Sequence, residues 1–305
     1  VRIDGPDTAE RTRIRRYGFY SHWNDAASIL QYSETDRFFV ARLMNPVAVG
    51  AYAFYTRLAE MATSFVPQRL FDNLVQPLFF GVPVDEAKEK IPRYFTFLIN
   101  MSLVYQLPLI TFTLVYHQDI VQLVFGGKFI EHSFLLPLVI AFTTTDNVFS
   151  TPIHLVAQYN EKASTILKSQ VLGIYQVVAM LTLVPVLGLT GAAIASGTFH
   201  VFRNIFVWWR VRDQGIWINW RISVLSAVLV WGSAALMCSQ IRTVLELPQL
   251  VEMSLGAVIC GIAALGYLRT PAICASDRNI LGNVLHGKEG RLLRWIGLLP
   301  GHPAN

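Results

Sequence analysis

The sequence predicts an all-α integral membrane protein with about eight transmembrane helices. Three observations carry this prediction: a shortage of charge, a series of long apolar segments, and a one-sided distribution of basic residues. Charged residues make up 15% of the 305 residues, whereas hydrophobic residues make up 53%, and the mean hydropathy is +0.43. Soluble domains carry about 25% charged residues. Most of the surface is therefore expected to face lipid.

Eight segments are long and apolar enough to cross a membrane as helices, which takes about 20 residues each. Pro67 and Pro77 interrupt the second of them, and the stretch 119–129 is expected to lie in the membrane interface. Continuous apolar runs favour helices over the alternating strands of a membrane barrel. The predicted spans are 17–44, 47–80, 94–116, 133–158, 163–186, 189–209, 222–241 and 247–268.

The basic residues predict the orientation of these spans. With the N-terminus in the cytoplasm, only Arg42, Lys128 and Arg242 of the 25 Lys and Arg residues fall on the outer side. Another four lie within spans, namely Arg37, Arg57, Arg69 and Arg203. Because cytoplasmic loops are enriched in Lys and Arg, both termini are expected in the cytoplasm. Since the basic residues are concentrated in the predicted cytoplasmic loops, the net charge of +5 indicates membrane topology and not nucleic-acid binding.

No catalytic, cofactor or metal site is expected from the motifs. The sequence has no phosphate-binding loop, no HExxH zinc motif, no GxSxG nucleophile motif and no long hydrophilic region, which argues against most enzymes. Cys238, Cys260 and Cys274 lack metal-ligand spacing and are interpreted as small apolar fillers. Coupling to protons or sodium ions is left open.

The most informative residues are charges predicted to lie within the membrane, where an ionisable group is costly unless it is paired or hydrated. Arg57 is about ten residues into the second span, roughly 15 Å deep, and Glu60 follows on the same helical face. One hypothesis is an aqueous cavity in which Arg57 attracts an anionic headgroup and Glu60 tunes it or binds a coupling ion. The alternative is a self-neutralised pair that holds helices together.

Two further spans carry charge. Asp36 and Arg37 lie in the polar first span, where Glu34 is placed to pair with Arg37, and this span is expected to line a hydrated cleft or to pair at a helix interface. Asp146 in the fourth span is a candidate proton or sodium site, or equally a helix contact.

The sixth span holds Arg203 beside His200. Arg203 is a candidate for the transport pathway, but extension of its side chain to the cytoplasmic interface is favoured. His154 is interpreted as a packing residue.

Three segments resemble the motifs of a known family. Asp36–Tyr52 is similar to the Asp-Arg…Val-Gly-x-Tyr region of polysaccharide-biosynthesis flippases. Val124–Phe129 resembles their Leu-Phe-Gly-x-x-Tyr/Phe outer segment, and Val184–Ala195 resembles their Pro-x-x-Gly-x-x-Gly-Ala-Ala-x-Ala hairpin. The family is that of the Wzx-type oligosaccharide flippases of the MOP superfamily, which are relatives of the lipid II flippase and the MATE antiporters.

The resemblance implies two six-helix lobes around a cavity with alternating access. It places this chain as the second lobe, residues 17–213, preceded by a basic cytoplasmic segment, 1–16. Two additional helices follow in 214–269, and a basic cytoplasmic tail in 270–305. Because the resemblance aligns this chain with the second lobe, the first lobe is expected from a longer chain or from another polypeptide, and polysaccharide assembly proteins are further candidate partners.

The substrate class also comes from the resemblance. It implies export of a lipid-linked oligosaccharide, carried on polyprenyl pyrophosphate, across the bacterial inner membrane. Two alternatives stay open: a cation-coupled drug or metabolite antiporter of the same fold, and a membrane enzyme such as a polymerase or acyltransferase.

Overall fold

A computed structural model describes residues 8–28, 33–64, 79–83, 85–212, 220–244 and 247–273, and within these ranges the regular elements are helices. The predicted all-α class is therefore confirmed. The α-helices are α1 (Thr8–Ser28), α2 (Ser33–Leu43), α3 (Pro46–Ser64), α4 (Ala87–Phe125), α5 (Leu135–Tyr159), α6 (Ala163–Ser169), α7 (Gly173–Val211), α8 (Trp220–Val244) and α9 (Gln249–Leu268).

Several helices have the length and composition of membrane spans. In the described part of the chain, four helical segments meet both criteria: Ala87–Phe125, Ala163–Val211, Leu225–Val244 and Gln249–Leu268. Their outward faces are apolar, as Val228 and Leu229 on α8 and Ile262 on α9 illustrate with more than half of each residue exposed. Such surfaces belong in hydrocarbon, so the chain is a membrane protein.

The chain divides into two compact units. Unit 1 comprises the described residues of Val1–Phe95 and Phe129–Ile216, and unit 2 comprises those of Thr96–Lys128 and Trp217–Asn305. Residues 96–128 of the predicted six-helix lobe thus cluster with the two additional helices. The predicted boundaries at 213 and 269 remain predictions.

Several predicted segments differ in detail from the described helices. The first predicted span corresponds to two helices, α1 and α2, and residues 119–125, predicted to lie in the interface, continue α4 beyond a kink at Tyr116. Arg69, Pro67, Pro77 and Cys274 lie outside the described residues, as does the predicted tail from residue 274 onward.

A tight connection joins α2 to α3 in unit 1. Asn45 accepts a 2.9 Å hydrogen bond from the Ala48 backbone N–H through Oδ1, so it caps the exposed start of α3. Pro46 occupies the first position of α3, where no backbone N–H is required. The resulting hairpin brings Asp36 and Tyr52, the two ends of the first family-like motif, within hydrogen-bonding distance.

The α7 segment is a helical hairpin, as the Pro-Gly-Gly motif predicted. Gly188 has φ 60° and ψ −137°, a conformation that glycine adopts readily. The turn lets the Tyr175 hydroxyl lie 2.9 Å from the Thr198 hydroxyl, although 23 residues separate them. A Cβ on Gly191 would lie 2.2 Å from the Leu183 carbonyl oxygen, so only glycine fits at this close approach. The α7 segment, Gly173–Val211, therefore forms two antiparallel arms that meet at Gly188.

The Val124–Phe129 motif ends in a residue that packs in unit 1. Phe129 has a left-handed backbone conformation, φ 62°, and its carbonyl accepts a 2.8 Å hydrogen bond from the Tyr55 hydroxyl. Its ring lies 5.8 Å from the ring of Phe54. The motif therefore fixes the chain against α3.

Unit 2 contains the kinked part of α4 packed with α8 and α9. Tyr116 has φ −110° and ψ 17°, which interrupts the helix. Arg242 of α8 donates a 2.8 Å hydrogen bond to the Val115 carbonyl and lies 2.9 Å from the Asp119 carboxylate. Gln249 Nε2 donates to the backbone carbonyl of Asp119 and to one oxygen of its carboxylate, at 3.3 Å each. Polar side chains thus satisfy the groups around the kink.

Candidate functional site

A polar cavity of about 180 Å³ lies inside unit 1. Its walls come from α2, α3, α5 and the second arm of α7. Two of the lining residues are in direct contact, because Gly197 packs against the ring of Phe142, where a Cβ would lie 2.0 Å from a ring carbon. The polar side chains that line the cavity are Asp36, Tyr52, Glu60, Thr143, Asp146, Ser196 and His200.

Asp36 is the more enclosed of the two aspartates, with 4% of the residue exposed. Its Oδ1 accepts a 2.8 Å hydrogen bond from Gln176 Nε2, and its Oδ2 accepts a 3.3 Å hydrogen bond from the Tyr52 hydroxyl. Ser196 supplies a further hydrogen bond. Neutral donors from α3 and from both arms of α7 therefore hold this carboxyl group at one wall of the cavity.

Asp146 faces the cavity from α5 and is held by three residues of α7. Arg203 Nη2 lies 3.0 Å from Asp146 Oδ1, and Asn204 Nδ2 donates to the same oxygen at 2.9 Å. His200 Nδ1 lies 3.5 Å from the second carboxylate oxygen. The spacing of 200, 203 and 204 puts the three side chains on one helical face. Asp146 is thus fixed by a cation and two polar groups.

The structure places Arg203 differently from the favoured expectation. Only 9% of the residue is exposed, and its guanidinium lies 5.7 Å from the Phe199 ring while it pairs with Asp146. Extension to the cytoplasmic interface is therefore wrong for this side chain. The physical reason is the Asp146 carboxylate on the neighbouring helix, because ionised groups within a membrane pair with one another.

Arg57 and Glu60 form the predicted i,i+3 pair, with 2.9 Å between Arg57 Nη1 and Glu60 Oε2. Glu60 lines the cavity, whereas the Arg57 side chain is 73% exposed and projects from α3. The guanidinium group of Arg57 therefore lies beside the cavity and stays exposed. Whether Arg57 attracts a headgroup remains a prediction.

Arg37 lies in the middle of α2, where Nη1 is 3.7 Å from Glu34 Oε1 and Nη2 donates to the Thr56 hydroxyl at 3.5 Å. The expected contact with Glu34 is therefore present. Arg37 belongs to the α2–α3 interface, whereas its neighbour Asp36 belongs to the cavity wall.

Sequence reasoning missed Tyr52, Gln176, Ser196 and Asn204 as members of the site. Tyr52 could have been identified as the last residue of the Asp-Arg…Val-Gly-x-Tyr motif. Asn204 could have been identified because it directly follows a charged residue, Arg203, in an apolar span. Gln176 stands in an otherwise apolar arm of α7, and a polar residue there signals an internal partner. Ser196 had no such signal because serine is common in membrane helices.

The cavity offers carboxylates, hydroxyls and an imidazole as possible ligands of a small polar solute. In the ranges that the structure describes, no group of three or more His, Cys, Asp and Glu residues is arranged to hold a metal ion. The volume is below the roughly 300 Å³ at which pockets for drug-sized ligands begin. The cavity therefore suits water, a cation or a single sugar ring.

Residues 6–133 match the model of a family described as polysaccharide biosynthesis protein. The resemblance to polysaccharide biosynthesis proteins is confirmed. The match includes α1 to α4 and the cavity residues Asp36, Tyr52 and Glu60, and it supports a role in polysaccharide biosynthesis. Asp146, Ser196 and His200 lie beyond the segment that matches this polysaccharide biosynthesis family. No curated protein matches the chain.

Proposed function

We propose that the chain exports lipid-linked oligosaccharide across the bacterial inner membrane by alternating access, for cell-surface polysaccharide biosynthesis. The observation that carries the proposal is the polar cavity inside unit 1. Asp36 and Asp146 are held at its wall by hydrogen bonds and an ion pair, within a bundle whose outer surface is apolar. Ionised or strongly polar groups are costly in a membrane and are typically kept for transport.

The substrate would be a polyprenyl-pyrophosphate oligosaccharide whose lipid tail stays in the bilayer. Arg57 is exposed beside the cavity and supplies positive charge for the pyrophosphate, while the hydroxyl and carboxyl groups of the cavity offer partners for sugar hydroxyls. Translocation forms and breaks no covalent bond, so the proposal is a transporter and not an enzyme.

A cavity of about 180 Å³ cannot enclose an oligosaccharide. The proposal therefore includes the first lobe, from a longer form of the chain or from another polypeptide, that completes the pathway. The excess of Lys and Arg in the predicted inner loops supports a cytoplasmic location for the basic N-terminal segment and tail.

The second candidate is a cation-coupled drug or metabolite antiporter. Three carboxylates line the cavity, namely Asp36, Glu60 and Asp146, and such a set favours a cation more than a neutral sugar. The same carboxylates would also serve a cation that drives lipid export, so the transported solute distinguishes the two functions.

The test uses vesicles from cells that produce the protein with its partner polypeptides. We expect a fluorescent lipid-linked oligosaccharide to cross the membrane, and Asp146→Asn to reduce its rate at least about tenfold. Asp25→Asn on the exposed surface of α1 is the matched control. Export of cationic dyes without movement of the lipid-linked sugar would replace the proposal with the antiporter function. No movement of either solute would reject both.

A further inference from the structure

The polar helix α1 carries two distinct faces. Arg11, Arg15, Phe19 and Trp23 recur every four residues and follow one side of the helix, and all four are exposed. Phe19 and Trp23 are more than half exposed, with ring centroids 6.2 Å apart. Exposed Arg and Trp side chains are residue types that are enriched at the cytoplasmic interface of membrane proteins.

The second face of α1 is attached to the rest of unit 1. Thr12, Arg16, Tyr20 and Asn24 also recur every four residues, and Asn24 Oδ1 accepts a 2.7 Å hydrogen bond from Gln170 Nε2. This contact lies just beyond α6. It anchors one end of α1 and leaves a space between the helix and the start of α6.

That space is a pocket of about 370 Å³, twice the volume of the cavity described above. It is lined by Thr12, Arg16, Tyr17, Tyr20, Glu161 and Ser164, together with Ala163. The Arg16 guanidinium carbon lies 6.0 Å from the centre of the Tyr20 ring. A guanidinium group and several hydroxyl groups therefore line the same pocket. Groups of these kinds bind phosphate oxygens.

The charge around the pocket is mostly positive. Arg15 directly precedes Arg16 on α1, Arg11 lies one turn before Arg15, and Lys162 follows the single lining carboxylate, Glu161. The Lys162 ammonium donates a 3.1 Å hydrogen bond to the Arg210 carbonyl, so it is held beside the end of α7. A basic surface of this kind attracts the anionic leaflet.

We propose that the pocket between α1 and α6 binds the phosphate headgroup of an acidic phospholipid. The aromatic residues on the neighbouring face of α1 would enter the acyl-chain boundary beside that lipid. The site is separate from the cavity of Asp36 and Asp146 and does not depend on export of a sugar. The proposal shares with the proposed function only one premise, that the basic N-terminal segment lies at the inner membrane surface.

The experiment measures retained lipid by native mass spectrometry of the purified full chain. Phosphatidylglycerol and phosphatidylcholine are offered at equal concentration, and inorganic phosphate is tested alone. We expect preferential retention of phosphatidylglycerol, and a loss of about fivefold in its affinity in Arg16→Gln, as one basic residue near a membrane surface contributes. Arg42→Gln, which removes an exposed Arg of α2, is the control.

A second variant tests the pocket without a change of charge. Ser164→Phe fills the space and is expected to lower phosphatidylglycerol retention while helical content is unchanged. Equal retention by wild type, Arg16→Gln and Ser164→Phe would overturn the proposal. Binding of inorganic phosphate as tight as that of phosphatidylglycerol, without preference between the lipids, would assign the pocket to a soluble phosphate compound and also overturn it.

Discussion

Gln176 and Asp36 are 140 residues apart in sequence, yet Gln176 Nε2 donates a 2.8 Å hydrogen bond to Asp36 Oδ1 in the interior of unit 1. The contact joins the first arm of α7 to α2. Both residues are less than 5% exposed, so the carboxyl group has exchanged water for protein donors. The orientation of Asp36 toward the cavity therefore depends on a residue of another helix.

Gln176→Leu is expected to destabilise the protein by about 1–3 kcal/mol, because it leaves a buried carboxyl group without one of its donors. Thermal unfolding in detergent measures the change. Gln240→Leu on the exposed face of α8 is the matched control and should leave the melting temperature nearly unchanged. Equal melting temperatures for both variants would show that the hydrogen bond contributes little.

The buried pair of Asp146 and Arg203 predicts a non-additive result. Arg203→Leu alone should lower the free energy of unfolding by roughly 3–5 kcal/mol, because an uncompensated carboxylate remains buried. The double variant that combines Asp146→Leu with Arg203→Leu should lower it by less. A double-mutant cycle on the free energy of unfolding measures the coupling. Additive effects of the two substitutions would contradict a direct interaction.

Arg57→Ala is expected to abolish export and to leave folding intact. The Arg57 side chain is 73% exposed, and exposed ion pairs contribute only about 0–1 kcal/mol. Export of labelled lipid-linked oligosaccharide and the melting temperature are measured together, with Arg42→Ala as the control for loss of a positive charge. Export at the wild-type rate in Arg57→Ala would remove this residue from the mechanism.

Gly191→Ala is expected to disrupt the α7 hairpin. The new Cβ would meet the Leu183 carbonyl oxygen at 2.2 Å, and a backbone atom cannot move aside cheaply. Overpacking of this kind costs roughly 1–3 kcal/mol. Gly261→Ala has open space around it and serves as the control. The yield of folded protein by size-exclusion chromatography measures the effect, and equal yields would refute the steric interpretation.

Local patterns in the sequence were enough to predict the helices and the nearby pairs. Glu34 with Arg37 and Arg57 with Glu60 follow from the i,i+3 geometry of a helix, and the Gly188 turn follows from the residue itself. The helix-to-helix contacts of Asp36 and Asp146 were not predictable, because one sequence does not specify which helices are neighbours. Arg203 was misplaced for that reason: its partner lies 57 residues away.

The kink in α4 shows how a membrane helix bends without proline at the bend. A straight helix of 39 residues would extend about 58 Å, nearly twice the hydrocarbon thickness. Where Tyr116 departs from helical geometry, Arg242 donates a hydrogen bond to the carbonyl of Val115. The bend is therefore stabilised from more than a hundred positions away, by α8, and a substitution of Arg242 would act on a helix to which it does not belong.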